Sequence, residues 1–288
     1  MFNRNAVFFS LICLIPVLFT GCAKKAYAKE NALGFQDVKK AEEAAAAKSK
    51  AGDLQSEKIA AVFSKINPRA KEYCANILAN KEEFLSDLSV ILTEEKTFRT
   101  DDKSLYFLID KKHPVSSTYV PKDLIELKQN NYFNLNKKGM EIRPEAYEAL
   151  KKMGLAAQKD GITLLVSSVY RSYAYQDKLF NYWVSVDGME EAERESARPG
   201  TSQHQLATAA DFGSISDDFD KTEMGQWVYK NAADYGWSLS FPKGYEDVTG
   251  YRWECWHFRY IGVNACRFQK KWFGDIQQFM LEFLNQWK

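Results

Sequence analysis

The sequence predicts an α+β fold: one globular domain behind an N-terminal appendage. Three observations lead there. Segments of helical period and short apolar, strand-like runs alternate irregularly, with no glycine-rich phosphate loop between them. A hydrophobic content of 45%, with 19 Phe, 15 Tyr and 7 Trp, supplies a real core rather than a disordered chain. A length of 288 residues suits one large domain with an appendage. The 39 Lys and Arg nearly cancel the 38 Asp and Glu, so the chain lacks the basic excess of an electrostatic nucleic-acid binder.

The appendage comes first. Arg4 precedes the apolar run "AVFFSLICLIPVLFTG", which is too short for a membrane span and reads as an export signal over residues 1–21. Its end, "LFTGC", resembles a bacterial lipoprotein signal, which implies acylation of Cys22 and a lipid anchor in the membrane. An ordinary secretory signal and an uncleaved anchor are the alternatives. Residues 22–58 are rich in Ala, Lys, Glu and Gln with few large apolar groups, so they read as a tether. Residues 59–97 form a helical segment, with Ala70, Tyr73, Ile77, Phe84, Leu88, Ile91 and Leu92 near helical spacing.

The main domain is expected over residues 98–288. "LYFLID" reads as a strand and "HPVSSTYVP" as an extended loop punctuated by Pro114 and Pro121. "RPEAYEALKKMGLAAQKDG" is a helix, with Pro144 at its start and Gly161 just past its end. "ITLLVSSVY" reads as a buried strand, and a helix follows through "YQDKLFNYWVS". Then come a helix near "EMGQWVYKNAADYG", a strand and turn through "WSLSFPKGYEDVTGY", the segment "WECWHFRY", and one closing helix over "CRFQKKWFGDIQQFMLEFLNQW".

The chain holds three histidines, His113, His204 and His257. His204 lies in "PGTSQHQLATAADFG", seven residues before Asp211, and His257 follows Glu254 by three. Two imidazoles and one carboxylate make a catalytic zinc set with a fourth position open to water. Glu254 beside the third ligand would then serve as general base. Spacing alone does not separate this set from the histidines and acids of an ordinary core. His113, followed by Pro114, reads as a structural hydrogen-bonder. After export and loss of the signal, Cys74, Cys255 and Cys266 remain besides Cys22. Cys255 and Cys266 either pair or stay as buried free thiols.

The pattern S-x-H-x-x-x-x-A-x-D, followed some 45 residues on by E-x-W-H, resembles the LAS-type zinc peptidases. Further segments resemble the VanY branch in the same order: "LIDKKHPVSSTYVPKDL", "RPEAYEAL", "VYRSYAYQ", "ARPGTSQHQ", "YGWSLSFPKGYEDVTGY" and "ECWHFRYIG". The similarity covers roughly residues 104 to 285. It implies a zinc-peptidase domain with a small central antiparallel sheet flanked by helices. It further implies that His204, Asp211 and His257 hold Zn²⁺, that Glu254 is the catalytic base, and that Arg171 stabilises the oxyanion. Gln176 and Ser202 would line the site and hold the substrate's terminal residue, and Trp256 would pack beneath the metal. Three positions depart from the family pattern. Ala207 and Val169 stand where glycine is usual, and Gln203 where glutamate is common. The ligands, base and arginine are all kept.

The resemblance implies a zinc metallocarboxypeptidase that trims the C-terminal D-alanine from peptidoglycan stem peptides, outside the cytoplasmic membrane, with no protein partner. An L,D-carboxypeptidase acting on tetrapeptide stems is the near alternative. From another class, the alternative is a non-catalytic, zinc-containing wall-binding protein.

Overall fold

The computed structural model describes residues 50–98 and 105–288, with residues 39, 40, 43, 44 and 47 before them. The chain divides into a unit of residues 1–55 and a unit of residues 56–288. In the first, the described residues are helical; the signal region, Cys22 and most of the expected tether lie outside the described residues. Among those described, no helix is long and apolar enough to cross a membrane.

The second unit opens with α1 (56–63), α2 (Lys71–Ala79) and α3 (Lys81–Thr97). Ile59, Val62 and Phe63 follow the i, i+3, i+4 pattern of a helix face, and they and Ile66, in the turn after the helix, are buried. They join Phe84, Leu88 and Ile91 in one apolar cluster with the C-terminal part of the chain. Phe84 sits 5.3 to 6.5 Å from the rings of Phe268, Trp272, Phe273 and Phe283. Each such buried aromatic contributes about 1.5–3 kcal/mol.

The chain continues through β1 (Ile125–Glu126), β2 (Phe133–Leu135), β3 (Glu141–Ile142), α4 (Pro144–Lys159), β4 (Leu164–Ser168), α5 (Tyr173–Glu195) and β5 (Ala209–Phe212). Next are α6 (Glu223–Asn231), β6 (Trp237–Leu239), α7 (Glu246–Thr249), β7 (His257–Tyr260), α8 (Val263–Trp272) and α9 (Gln277–Trp287). Pro144 occupies the first turn of α4, where a missing N–H costs nothing. Ser172 and Thr222 cap α5 and α6, each hydroxyl accepting from a backbone N–H in the first turn.

Five strands form the main sheet in the order β2-β4-β5-β7-β6. It is antiparallel except where β2 runs parallel to β4, so the expected antiparallel sheet is mixed at one edge. Alternation sorts its two faces. Ala210, Phe212 and Phe258 join the cluster that includes Leu150, Met153 and Trp237. Asp211 and His257, paired directly across β5 and β7, point to the other face.

Two expected elements differ. "LYFLID" forms turns and an isolated Asp110–His113 bridge instead of a strand. Its apolar side chains are anchored singly, with Leu105, Tyr106 and Leu108 in the helical cluster and Ile109 in another. The closing helix is two helices, because Gly274 and Asp275 take positive φ values of 59° and 65° between α8 and α9. Gly274 is also pressed against Tyr73, where a Cβ would lie 2.1 Å from the hydroxyl. Cys255 and Cys266 are free thiols in separate apolar clusters.

Candidate active site

The strands deliver the first two groups of the site. Asp211 on β5 is flanked by Ser168 of β4 and His257 of β7, one residue opposite on each side. Cross-strand partners share a face, so this register alone brings the carboxylate to the imidazole. His204 arrives from a short 3-10 turn, Gln203–Leu206. Ser202 begins that turn by accepting from His204 N at 3.3 Å, and Ala207 ends it at φ 55°. A left-handed alanine costs roughly 1–2 kcal/mol, which explains why glycine is usual there; the turn closes nonetheless. Gln205 secures it from outside by donating to the carbonyls of Ser116 and Tyr119.

The ligand-type atoms of His204, Asp211 and His257 lie within 4.8 Å of one another, and all three residues are buried. His204 Nε2 is 3.3 Å from Asp211 Oδ2, and His257 Nδ1 is 3.0 Å from Asp211 Oδ1. His204 Nδ1 donates to Val169 O at 2.6 Å, which leaves Nε2 as the lone-pair nitrogen. Despite these approaches, His204 Nε2 and Asp211 Oδ1 are buried and make no well-aligned hydrogen bond among the described residues. Side by side in one cleft, two such atoms leave a place for an ion, a water or a ligand.

Electrostatics point the same way. Burial, then the Arg171 guanidinium, push His204 down to about 4, so it is a neutral imidazole at pH 7. Burial would raise the Asp211 carboxyl, but His204 and Arg171 hold it well below the usual carboxylate range. Burial, then Asp211, push Glu254 up to about 8.

These groups line a cleft of about 210 Å³ together with Glu254, Arg171, Ser202 and Trp256. A turn over residues 254–257, in which His257 N donates to Glu254 O at 3.2 Å, brings Glu254 Oε2 to 3.6 Å from His257 Nδ1. Arg171 Nε donates to Ser168 Oγ at 2.9 Å and its Nη2 to Asp211 Oδ2 at 2.6 Å. Gln176 is placed differently. It is fully buried, supports the cleft wall by donating to Ala197 O at 2.8 Å, and does not itself line the cleft. His113 does not line the cleft; its Nδ1 is 2.8 Å from Asp110 Oδ1. Cys255 packs in the apolar cluster, its Sγ 3.4 Å from Ser216 O.

Several further groups at the cleft were not singled out as site residues by the sequence. Phe241 packs its ring, tilted, against His257 at 4.8 Å and against Tyr251 at 4.9 Å. Arg252 stands at the rim between Glu195, at 2.9 Å, and Asp217, at 2.7 Å. Ser168 orients Arg171 from three residues upstream, a spacing that one sequence does not mark as special.

A profile of the VanY family, described as D-alanyl-D-alanine carboxypeptidase, matches residues 139–263, which contain the triad, Glu254 and Arg171. The solved structure of the LdcB LD-carboxypeptidase superposes with a TM-score of 0.55 at 32% identity, covering 63% of this chain and 87% of that one. The chain belongs to the VanY-like family of LAS-type peptidases. The solved structure of a Glu-to-Ala point mutant of the D,D-pentapeptidase VanY in complex with Zn(II) has a TM-score of 0.50 at 26% identity over 62% of this chain and 98% of that one. Among curated relatives, YodJ of Bacillus subtilis is 37% identical over 171 residues, 57% of this chain and 63% of YodJ. A D-alanyl-D-alanine carboxypeptidase of Enterococcus faecium is 26% identical over 68% of this chain and 64% of its own. The chain therefore spans less than two thirds of the length of these curated VanY-like relatives.

Proposed function

We propose that this protein is a zinc metallocarboxypeptidase that removes the C-terminal D-alanine from peptidoglycan stem peptides, held outside the cytoplasmic membrane by a lipid on Cys22. In this reading residues 1–21 are its signal, 22–58 its tether, 59–97 a supporting helical segment and 98–288 the catalytic domain. The observation that carries the reading is the convergence of His204, Asp211 and His257 in a cleft shared with Glu254 and Arg171.

The residues fit zinc. Bonds of about 2.0–2.1 Å in a tetrahedron put neighbouring donor atoms about 3.3 Å apart; His257 Nδ1 and Asp211 Oδ1 are 3.0 Å apart, and the ligand-type atoms of all three residues lie within 4.8 Å of one another. Zinc would also give His204 Nε2 and Asp211 Oδ1 the aligned partner that they lack. Bound there, zinc would supply Lewis acidity and lower the pKa of a nearby water.

The chain's own groups do the rest. Glu254 takes the proton from the attacking water and returns it to the leaving amine. Arg171, steadied by Ser168 and Asp211, presents its remaining donors to the carbonyl oxygen as negative charge develops there. Ser202 faces the substrate's terminal residue, and Gln176 shapes that end of the cleft through Ser196 and Ala197. Trp256 and Phe241 keep the site dry, which strengthens each electrostatic contact.

The likeness to the LdcB LD-carboxypeptidase, at a higher identity and TM-score than that to VanY, supports a second reading: L,D-cleavage of tetrapeptide stems. Mass spectrometry of defined pentapeptide and tetrapeptide muropeptides, incubated with zinc-loaded protein, separates the readings. Loss of one D-alanine from pentapeptides supports D,D-cleavage, and shortening of tetrapeptides alone supports L,D-cleavage. An intact pair of substrates beside stoichiometric zinc would make this a non-catalytic wall-binding protein.

A further inference from the structure

His257 turns its Nδ1 toward Asp211, so its Nε2 must be dealt with on the opposite side of the ring. There it stands 3.2 Å from Gln203 Oε1. A carbonyl oxygen is an acceptor only, so this contact requires the proton on Nε2; Nδ1, which faces Asp211 Oδ1 at 3.0 Å, is then the nitrogen left for a metal. A Gln amide is ambiguous by itself, because a flip would present NH₂ instead. That group would favour a lone pair on Nε2 and a proton on Nδ1, and Nδ1–H cannot bind a metal.

Gln203 is held against that flip. Ser240 Oγ donates to Gln203 Oε1 at 2.7 Å. On its other side Gln203 Nε2 donates to Gln277 Oε1 at 3.4 Å, and Gln277 Nε2 donates to the backbone carbonyl of Ser238 at 3.3 Å. All four side chains, His257 included, are buried, so water does not offer substitute partners. The Ser238 carbonyl can only accept. It therefore sets the direction of Gln277, which sets Gln203, which sets His257. Each amide passes the same polarity along.

We infer that Gln203 and Gln277 are positioning residues of the metal site: the relay Ser238 O, Gln277, Gln203 fixes the tautomer of His257 that exposes Nδ1. This rests on the zinc reading above. It gives Gln277, the first residue of α9 and 20 residues beyond His257, a role in metal binding without touching the metal. It also gives a reason for Gln203 where glutamate is common. A neutral acceptor fixes the tautomer without a third negative charge beside Asp211 and Glu254, and its NH₂ lets α9 control its direction.

The test begins with the unmutated, metal-free protein labelled with ¹⁵N-histidine. The His257 ring should show a protonated Nε2; an unprotonated Nε2 beside a protonated Nδ1 overturns the inference. Zinc affinity is then measured by chelator competition in parent, Gln277→Leu, Gln203→Leu and Gln203→Glu, each checked for folding by circular dichroism. The two leucine variants should bind zinc about 10–100-fold more weakly and show mixed His257 tautomers. Gln203→Glu, an acceptor whichever way it turns, should keep protonated Nε2. Leucine variants that keep the parent's tautomer and affinity overturn the relay while leaving the zinc reading intact. A parent that binds no zinc overturns the zinc reading itself, whereas the tautomer spectrum still judges the relay.

Discussion

Glu254 Oε2 lies 3.6 Å from His257 Nδ1, although three residues along a flat strand would put the two on opposite faces. They converge because β7 begins at His257. The three residues before it form a turn closed by His257 N donating to Glu254 O at 3.2 Å. The Glu254 carboxyl and the His257 imidazole thus come together while Trp256 and Cys255, between them, pack in the apolar cluster.

That arrangement separates binding from catalysis. Glu254→Gln keeps the side-chain size and removes its basicity, so zinc content should stay at the parent level while turnover falls about 10²–10⁴-fold. His257→Ala should lose zinc as well. Zinc per chain, measured beside hydrolysis for both variants, decides the roles. Loss of zinc from Glu254→Gln would make the glutamate a ligand.

The substrate's free carboxylate should matter. A carboxypeptidase recognises a chain end, so amidating the terminal carboxylate should remove a charge-assisted hydrogen bond and cost about 1.5–3 kcal/mol in kcat/KM. Equal rates on free and amidated peptides would point to an endopeptidase.

Stability of the metal-free protein should carry the mark of Glu254. Its carboxyl is pushed up to about 8 in the folded state by burial and Asp211, so between its unfolded pKa and pH 8 the folded state binds the proton more tightly. Over that window the group makes stability fall as pH rises. Glu254→Gln, which cannot ionise, should melt higher than the parent at pH 8 and converge with it near pH 4.5. Zinc loading should shrink the gap, because a cation beside the carboxylate favours its ionised form. Thermal melts across pH with and without chelator give the answer; identical pH profiles for parent and variant would show that Glu254 titrates normally.

The boundary of the folded unit can be located by truncation. Ile59, Val62 and Phe63 are buried, and Phe63 lies 5.5 Å from Phe283 and 6.3 Å from Phe273. A chain beginning at Ser56 should fold and turn over substrate as the longer chain does. One beginning at Asn67 loses these side chains and Ile66, at about 1.5–3 kcal/mol for each, and should melt markedly lower by circular dichroism. Equal melting of the two chains would place α1 outside the core.

Much of this protein was legible in one dimension because its signals are local. Pro144 and Gly161 bracket α4 because a proline at a helix start and a glycine past its end act through their own dihedrals. The spacing of His204, Asp211, Glu254 and His257 was visible as a motif, and its chemistry follows from residue type. Other features depend on neighbours distant in sequence. "LYFLID" has strand composition, but its apolar side chains are drawn singly into separate clusters and only the Asp110–His113 bridge remains. The closing segment has helical period throughout, but Gly274 fits against Tyr73 only with the chain turned, and α9 folds back. Nothing local says that Asp211 pairs with His257 rather than with a residue two places away; the register of β5 on β7 decides it. The same holds for Gln277, which reaches the site because α9 packs there. Sequence by itself determined which groups can bind and react. The tertiary structure decided which of their atoms face one another, because a hydrogen bond or a coordination shell is set by ångström distances that only packing fixes.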